Sequence, residues 1–345
     1  MRAEIAQQPE VFARLLADSA PIRDVARAVL ARRPRFALIA ARGSSDHAAL
    51  YAKYLIETQL GLPSGLASMS SLTAYGLPRG AERSMEGVLW LAISQSGGSP
   101  DLLEATRLAR EAGAITVAVT NAGGLPVAQA AEFHVDMGAG QERSVAATKT
   151  YTASLLTLWL LVDALGGQSG QRAYELVDAA AATLDATAVS PVLSALVESL
   201  ADRDRLVTLG RGFSYPTARE GALKLMETTY LAAGAFSGAD LLHGPVAHVG
   251  AGTPVLAVAP GGVGSDLLRP VLSVLADRGA DVTLVGDTSL RGAGDGAGLA
   301  AVSVAEDLSS IVQILPLQLL ALELSLRRGI DPDAPTGLRK VTRTL

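Results

Sequence analysis

Short apolar runs alternate with amphipathic stretches along the first half of the chain. The apolar runs predict buried strands over 36–41, 88–93, 115–120 and 133–137, and a short strand over 66–70. Helical periodicity predicts helices over 47–57, 100–113 and 146–166. Strands that alternate with helices at this spacing indicate a doubly wound parallel sheet, in which ligands bind at the carboxyl ends of the strands.

The same pattern restarts in the second half. It predicts strands over 205–209, 254–258, 281–285 and 302–304, and helices over 216–233, 267–277 and 311–326. The loop at 210–214 also repeats the character of the loop at 40–45, roughly 170 residues earlier. We therefore expect an α/β protein with two tandem doubly wound domains.

The predicted domain organisation follows from where each of the two strand-and-helix patterns begins and ends. It comprises an N-terminal helical segment (1–30), a first domain (31–170), a helical connector (171–200), a second domain (201–330) and a C-terminal tail (331–345).

One strand-to-helix turn carries candidate chemistry. The strand over 88–93 leads into the hydroxyl-rich loop 94–99, where Ser99 is a plausible helix N-cap and Pro100 suits the first helical position. Amides at such a turn, together with the helix dipole, favour an anion. The sequence lacks the P-loop signature, so the loop predicts a phosphate without a nucleotide. An ordinary turn shares this pattern, which leaves both interpretations open. The corresponding loop at 260–265 lacks these hydroxyls, and we expect it to have lost the ligand.

Composition narrows the class of protein. The 345 residues are 49% hydrophobic and carry a net charge of −5, which argues against nucleic acid as a partner. The absence of cysteine excludes disulfides and thiolate chemistry, and no His/Asp/Glu spacing suggests a metal. The apolar stretches 151–165 and 311–326 predict buried helices rather than membrane spans. With no signal peptide recognisable at the N-terminus, we expect a cytoplasmic protein without cofactor or membrane partner.

Lysine and histidine are scarce. The lysines are Lys53, Lys149, Lys224 and Lys340, and the histidines are His47, His134, His243 and His248. Because lysine can act as a base or form an imine whereas arginine stays protonated, each lysine is a candidate for chemistry.

Six spaced blocks, at 43–45, 94–97, 142–149, 220–227, 242–245 and 338–340, together resemble one family. The chain resembles the double sugar isomerase (SIS) domain proteins, particularly the isomerase half of glucosamine-6-phosphate synthase and stand-alone relatives that include glucosamine-6-phosphate deaminases. The resemblance implies two SIS domains and a substrate that is a sugar phosphate. The glutaminase domain of the synthase is missing, so glutamine-dependent synthesis is not expected.

The resemblance also implies which residues bind the sugar phosphate. The residues implied are Ser44, Ser45, Ser94, Gln95, Ser96, Ser99, Glu142, Val145 and Ala147. Of these, the backbone over 145–147 is implied to approach the sugar. The family often has serine where this chain has Ala147, which places one sugar hydrogen bond in question.

The implied catalytic residues are Glu227, Lys224, His243 and Lys340. Glu227 would move a proton between C1 and C2, and Lys224 lies on the same helical face; an exposed ion pair is the alternative. His243 would open the sugar ring from the partner subunit of a homodimer, unless it is a buried structural histidine. Lys340 would form an imine with the substrate carbonyl, unless it is a solvated tail charge. Lys149 could line the pocket or cap a helix.

Three functions remain open at this point. The first is an amino-sugar-phosphate isomerase or deaminase that converts glucosamine 6-phosphate and water into fructose 6-phosphate and ammonia. The second is a deglycase acting on a fructosamine phosphate. The third is a sugar-phosphate sensor without turnover.

Overall fold

The computed structural model describes residues 1–76, 84–290 and 298–340, which form two compact units. The first-sheet unit contains Glu10–Glu142, Lys149–Tyr174 and the C-terminal segment from Arg339. The second-sheet unit contains Met1–Pro9, Arg143–Thr148 and Glu175–Leu338. These units interleave along the chain, whereas the predicted domains are contiguous; the predicted boundaries stay a prediction, and 341–345 of the predicted tail lie outside the described residues.

The secondary-structure elements of the first half follow in chain order. The helices are α1 (Arg2–Ala6), α2 (Gln8–Ala17), α3 (Ala20–Ala31), α4 (Ser44–Gln59), α5 (Met69–Thr73), α6 (Pro100–Glu111), α7 (Pro126–Ala130) and α8 (Lys149–Leu165). The strands are β1 (Phe36–Ala40), β2 (Ser64–Leu66), β3 (Val88–Ser94), β4 (Ile115–Thr120) and β5 (Phe133–Asp136).

The second half repeats this arrangement. The helices are α9 (Glu175–Ala188), α10 (Pro191–Leu200), α11 (Ser214–Thr229), α12 (Gly238–Leu242), α13 (Gly262–Asp277) and α14 (Glu306–Arg327). The strands are β6 (Arg205–Gly210), β7 (Ala232–Ser237), β8 (Pro254–Ala259), β9 (Asp281–Gly286) and β10 (Gly298–Ala300). Short 3₁₀ turns occur at Gln171–Tyr174, Pro245–His248 and Thr288–Leu290.

Both sheets are parallel and share one topology. The first has the order β2-β1-β3-β4-β5, and the second has the order β10-β9-β8-β6-β7, which is the same order read from the other edge. In the first sheet β1 connects outward to β2, while β3 leads in the opposite direction through β4 to β5. The strand order therefore reverses between β1 and β3, where open α/β sheets place their ligands. The predicted α/β class with two doubly wound domains is confirmed.

Three predicted elements are wrong. The strand predicted over 66–70 ends at Leu66, and residues 69–73 form α5 instead. The helix predicted over 216–233 ends at Thr229, where Tyr230 turns left-handed with φ +59° and the chain enters edge strand β7. The sequence of β7, AAGAFS, is rich in residues without strand preference, so its pairing with β6 decides its structure. The strand predicted over 302–304 lies instead at Gly298–Ala300.

The two longest helices form the interiors of their units. In the first-sheet unit α8 packs against α3 and α4, and nearly all of its side chains are buried. In the second-sheet unit α14 packs against α11 and α9. Helix α14 is long and apolar enough to cross a membrane, but 94% of its apolar window is buried inside the protein, as in the core helix of a globular domain.

Candidate functional site

Two loops leave the neighbouring strands β1 and β3 of the first-sheet unit. The strands pair in register at Ala40 and Ala92, so both loops begin at the same edge of the sheet. After β1 the chain turns at Gly43, whose φ of +58° is a conformation that glycine adopts without strain, and Ser44 begins α4. We call residues 94–99, which follow β3, the serine loop. The helices α4 and α6 thus begin beside each other at the point where the strand order reverses.

The serine loop is held in shape by its own side chains. The Gly97 amide donates to Ser94 Oγ at 3.0 Å, and the Gly98 amide donates to Ser96 Oγ at 3.4 Å. Gly97 has φ +56°, and a Cβ there would lie 2.5 Å from the Leu125 side chain, so only glycine fits. Ser99 occupies the predicted N-cap position, but its hydroxyl donates to the carboxylate of Asp101 rather than capping a helix amide.

The hydrogen-bond donors of these two loops are suited to bind an anion. Ser45, Gln95 and Ser96 are half-buried. The side chains of Ser45 and Gln95 make no hydrogen bond to any part of the chain that the structure describes. Pro100 has no N–H and the Leu102 amide is already bonded to Asp101, so these side chains rather than the amides of α6 form a cradle of neutral donors, which suits a phosphate ester. The predicted phosphate residues are therefore brought to one edge of the first sheet.

An ion pair links the two loops. The Arg42 guanidinium donates from Nε to Asp101 Oδ2 at 3.0 Å, and its Nη2 lies 2.9 Å from the same oxygen. The other carboxylate oxygen of Asp101 accepts from the Leu102 amide and from Ser99 Oγ. The Asp101 side chain is only 7% exposed, whereas that of Arg42 is 53% exposed.

The corresponding loop of the second sheet is already occupied. After β8, the first amides of α13 donate to the Glu306 carboxylate, from Val263 at 3.1 Å and from Gly264 at 2.9 Å. Glu306 is the first residue of α14, at the position where α8 begins with Lys149 in the first copy. A side-chain carboxylate of the protein therefore stands where an anion would bind in the second copy.

Helix α11 of the second-sheet unit carries a buried charge cluster. Lys224 Nζ lies 2.6 Å from Glu227 Oε2 and 3.2 Å from Glu220 Oε1. The side chains of Lys224 and Glu220 are completely buried, while that of Glu227 is 23% exposed. The alternative of an exposed surface pair is therefore wrong: an inaccessible ammonium holds a carboxylate that can still be reached.

The protonation of Lys224 follows from this arrangement. Burial by itself lowers the pKa of an ammonium, but the carboxylates of Glu220 and Glu227 outweigh it and raise the pKa of Lys224 above its ordinary value. Lys224 is thus a permanent cation at neutral pH. It suits electrostatic stabilisation and does not suit imine formation, which needs a neutral amine.

Two other predicted residues meet in the first-sheet unit. Lys340 Nζ donates to Glu142 Oε2 at 2.8 Å, and the Glu142 side chain is completely buried. Glu142 also accepts from the Thr150 amide and hydroxyl. Lys340 is therefore anchored rather than a solvated tail charge. Lys149, the first residue of α8, is buried and directly precedes Thr150 in the sequence.

The segment Arg143–Thr148 is fixed within the second-sheet unit. The Glu4 carboxylate accepts from the amides of Arg143 and Ser144. The Val145 amide donates to the Asp333 carbonyl at 3.3 Å, and Val145 and Ala147 are half-buried. The Val145 amide is therefore already bonded, and the predicted approach of this backbone to a sugar stays a prediction.

The histidines occupy different environments. His243 ends α12 and is exposed, so the alternative of a buried structural histidine is wrong; its ring makes no hydrogen bond within the described ranges. The ring centroids of His248 and Phe236 lie 5.7 Å apart. His47 is buried in α4. His134 contacts Thr120 Oγ1 through Nε2 at 2.9 Å, and burial lowers its pKa despite the opposing charge of Asp136.

The sequence analysis did not identify three residues of these clusters as functional: Glu220, Asp101 and Arg42. Glu220 was recognisable one helical turn before Lys224, because residues four apart on a helix share a face. Asp101, the second residue of α6, was recognisable as an acidic group in a first turn. Nothing in the sequence pairs it with Arg42. No group of three or more His, Asp or Glu side chains that could hold a metal occurs in the described ranges 1–76, 84–290 and 298–340.

Comparisons with known proteins agree with this architecture. A family model of the SIS domain matches residues 31–164 and 199–328. The glutamine–fructose-6-phosphate aminotransferase (isomerizing) of Methanothermobacter thermautotrophicus is 37% identical over 307 residues, which are 86% of this chain and 50% of that protein. The chain thus spans about half the length of the curated relatives it matches.

Solved structures extend the likeness. A candidate phosphosugar isomerase from Silicibacter pomeroyi has a TM-score of 0.82 at 35% identity, covering 96% of this chain and 99% of that chain. A glucosamine-6-phosphate deaminase from Thermotoga maritima has a TM-score of 0.79 at 24% identity, covering 99% of both chains, and shows the shared fold alone. By its two matched segments and its two parallel sheets, the chain belongs to the SIS-domain family.

Proposed function

We propose that the protein is an amino-sugar-phosphate isomerase of the deaminase type, which converts glucosamine 6-phosphate and water into fructose 6-phosphate and ammonia. The observation that carries this proposal is the cluster on α11, where the partly exposed Glu227 is paired with the fully buried Lys224. A sensor needs no such group, whereas a proton transfer needs a carboxylate held in one orientation.

The phosphate would bind at the cradle of the first-sheet unit. Ser45, Gln95 and the serine loop supply neutral donors, and the dipole of α6 favours an anion at its start. This binding would fix the distal end of the open-chain sugar. Remote binding energy of this kind places the reacting carbons against the catalytic groups.

Glu227 would move the proton. In the open-chain aldose its carboxylate removes the hydrogen from C2, the C1–C2 double bond of an enolamine forms, and the C1 carbonyl oxygen takes up a proton. Glu227 then delivers to C1 the proton that it removed from C2, which leaves an imine at C2. Water adds to that imine, and ammonia leaves to give the ketose. Lys224, which stays charged, would stabilise the negative charge that develops during the transfer.

His243 and Lys340 complete the proposal. The exposed imidazole of His243 is free to serve in ring opening, and we propose that it does so in the site of a second copy of the chain, in a homodimer. A monomeric mass at concentrations that give full activity, measured by light scattering, would contradict this part. Lys340, anchored on Glu142, would act at the carbonyl end of the substrate.

A substrate panel tests the proposed reaction. We expect millimolar glucosamine 6-phosphate to yield fructose 6-phosphate and ammonia in equal amounts, measured by a coupled dehydrogenase assay and by ammonia determination. Amine release from fructosamine 6-phosphate alone would replace the deaminase with a deglycase. Binding of phosphosugars without turnover of any of them would instead identify a sensor.

A further inference from the structure

We propose that Arg42 supplies the positive charge of the phosphate cradle and that Asp101 is the positioning residue that directs it there. This inference rests on the proposed function, because it assumes that the serine loop holds a phosphate ester. It adds a charged contact that neither the motifs nor the relatives assign.

Among the described residues 40–46 and 94–101, which form the two loops, Arg42 is the one basic residue. The side-chain donors of the cradle are hydroxyls and an amide, while a phosphate monoester carries a charge of about −1.5 to −2 at neutral pH. Neutral donors satisfy hydrogen bonds but do not compensate this charge. A guanidinium is the side chain best suited to a phosphate, because its planar fork presents several parallel donors.

The geometry places the Arg42 guanidinium at the start of α6. Its Nε donates to one carboxylate oxygen of Asp101 at 3.0 Å, and its Nη2 lies 2.9 Å from the same oxygen. The other oxygen is held by Ser99 Oγ at 3.0 Å and by the Leu102 amide at 2.8 Å. Asp101 is therefore fixed by the serine loop and by the helix, and it fixes the guanidinium beside both.

The remaining donors of Arg42 are available to an anion. An arginine presents five N–H groups, and the described hydrogen bond to Asp101 uses the one at Nε. The side chain is 53% exposed, so its outer edge is accessible. Arg42 also immediately precedes Gly43, whose left-handed conformation turns the backbone into α4. The guanidinium thus lies between the two loops that form the cradle.

Calorimetric binding of inorganic phosphate and fructose 6-phosphate tests this role. We expect Arg42→Gln to weaken binding about tenfold at pH 7.5, which is the usual effect of losing one charged hydrogen bond. We expect a smaller loss at pH 5.5, where the phosphate is largely a monoanion. Arg42→Lys restores part of the affinity, and Asp101→Asn gives an intermediate loss. Arg107→Gln, which removes an exposed charge on α6, leaves binding unchanged.

The outcomes separate this inference from the proposed function. If the wild-type protein binds phosphate and Arg42→Gln binds it equally well at both pH values, the role of Arg42 is overturned and the proposed function stands. An equal loss at both pH values with a lowered melting temperature also overturns it, because that result describes a purely structural ion pair. If the wild-type protein binds neither ligand, the proposed function itself fails.

Discussion

At the scale of single residues, His134 shows how the burial of a side chain makes its contribution to stability depend on pH. Thr120 donates its hydroxyl proton to the Ala122 carbonyl at 2.8 Å, so the contact at 2.9 Å requires Nε2 of His134 to be the donor. Burial lowers the pKa of His134, and the nearby Asp136 only partly opposes that shift. The folded protein therefore favours the neutral imidazole.

The pH dependence of stability follows in sign. Because the folded pKa lies below the ordinary value of 6.5, the contribution of His134 is complete above that value and is lost as the pH falls through the folded pKa. We expect the free energy of unfolding, measured with urea at pH 7.5 and pH 5, to fall more in the wild type than in His134→Gln. An equal fall in both proteins would contradict the assignment.

The charge cluster on α11 marks how far single residues could be predicted. The spacing of Lys224 and Glu227 places both on one helical face, and the structure confirms their ion pair. The burial of Lys224 could not be predicted, because it depends on α14, which packs over this helix but lies far along the sequence. The third member of the cluster, Glu220, could have been identified from its spacing to Lys224, but its burial could not.

At the scale of elements, Glu306 joins the start of α14 to the start of α13. A carboxylate that accepts from the first amides of a helix satisfies donors that otherwise have no partner and complements the helix dipole. It also gives a physical reason to expect that the second loop is closed to a phosphate. The sequence indicated that closure only through missing hydroxyls, whereas the occupant comes from a separate element.

Substitution of Glu306 is expected to lower stability. We expect Glu306→Ala to reduce the free energy of unfolding by about 1–2 kcal/mol, as for the loss of a helix cap, measured by urea denaturation. Asp266→Asn removes a carboxylate from the exposed surface of the same helix, where it pairs with Arg269, and is the matched control; we expect it to change stability by less than about 0.5 kcal/mol. Equal stability of the two variants would show that Glu306 is not a cap.

Central strands were predicted more closely than edge strands. The central strands β3, β4, β8 and β9 are continuous apolar runs, and the sequence located each to within a residue at either end. The edge strands β2, β7 and β10 are short or alanine- and glycine-rich, and they form because a neighbour offers a free edge. Tertiary pairing, which local sequence does not encode, determines these elements.

At the scale of the whole molecule, the two sheets share one topology but differ in the loops that follow β3 and β8. The repeat was recognisable from the loops at 40–45 and 210–214, and the matching strand orders confirm it. The interleaving of the units was not predictable, because Met1–Pro9 and Arg143–Thr148 join the second-sheet unit through long-range contacts such as that of Glu4 with the Ser144 amide. In the second copy the Glu306 carboxylate accepts from the first amides of α13, and the loss of the anion there stays a prediction.

The central claim is that Glu227 moves a proton on a sugar whose phosphate is held elsewhere in the chain. The most direct measurement compares turnover of glucosamine 6-phosphate and calorimetric binding of fructose 6-phosphate in Glu227→Gln and in Glu198→Gln, which changes an exposed glutamate paired with Arg327. The account predicts that Glu227→Gln lowers kcat by about 100- to 10,000-fold with nearly unchanged binding, while Glu198→Gln matches the wild type. Turnover within about tenfold of the wild type in Glu227→Gln would contradict it.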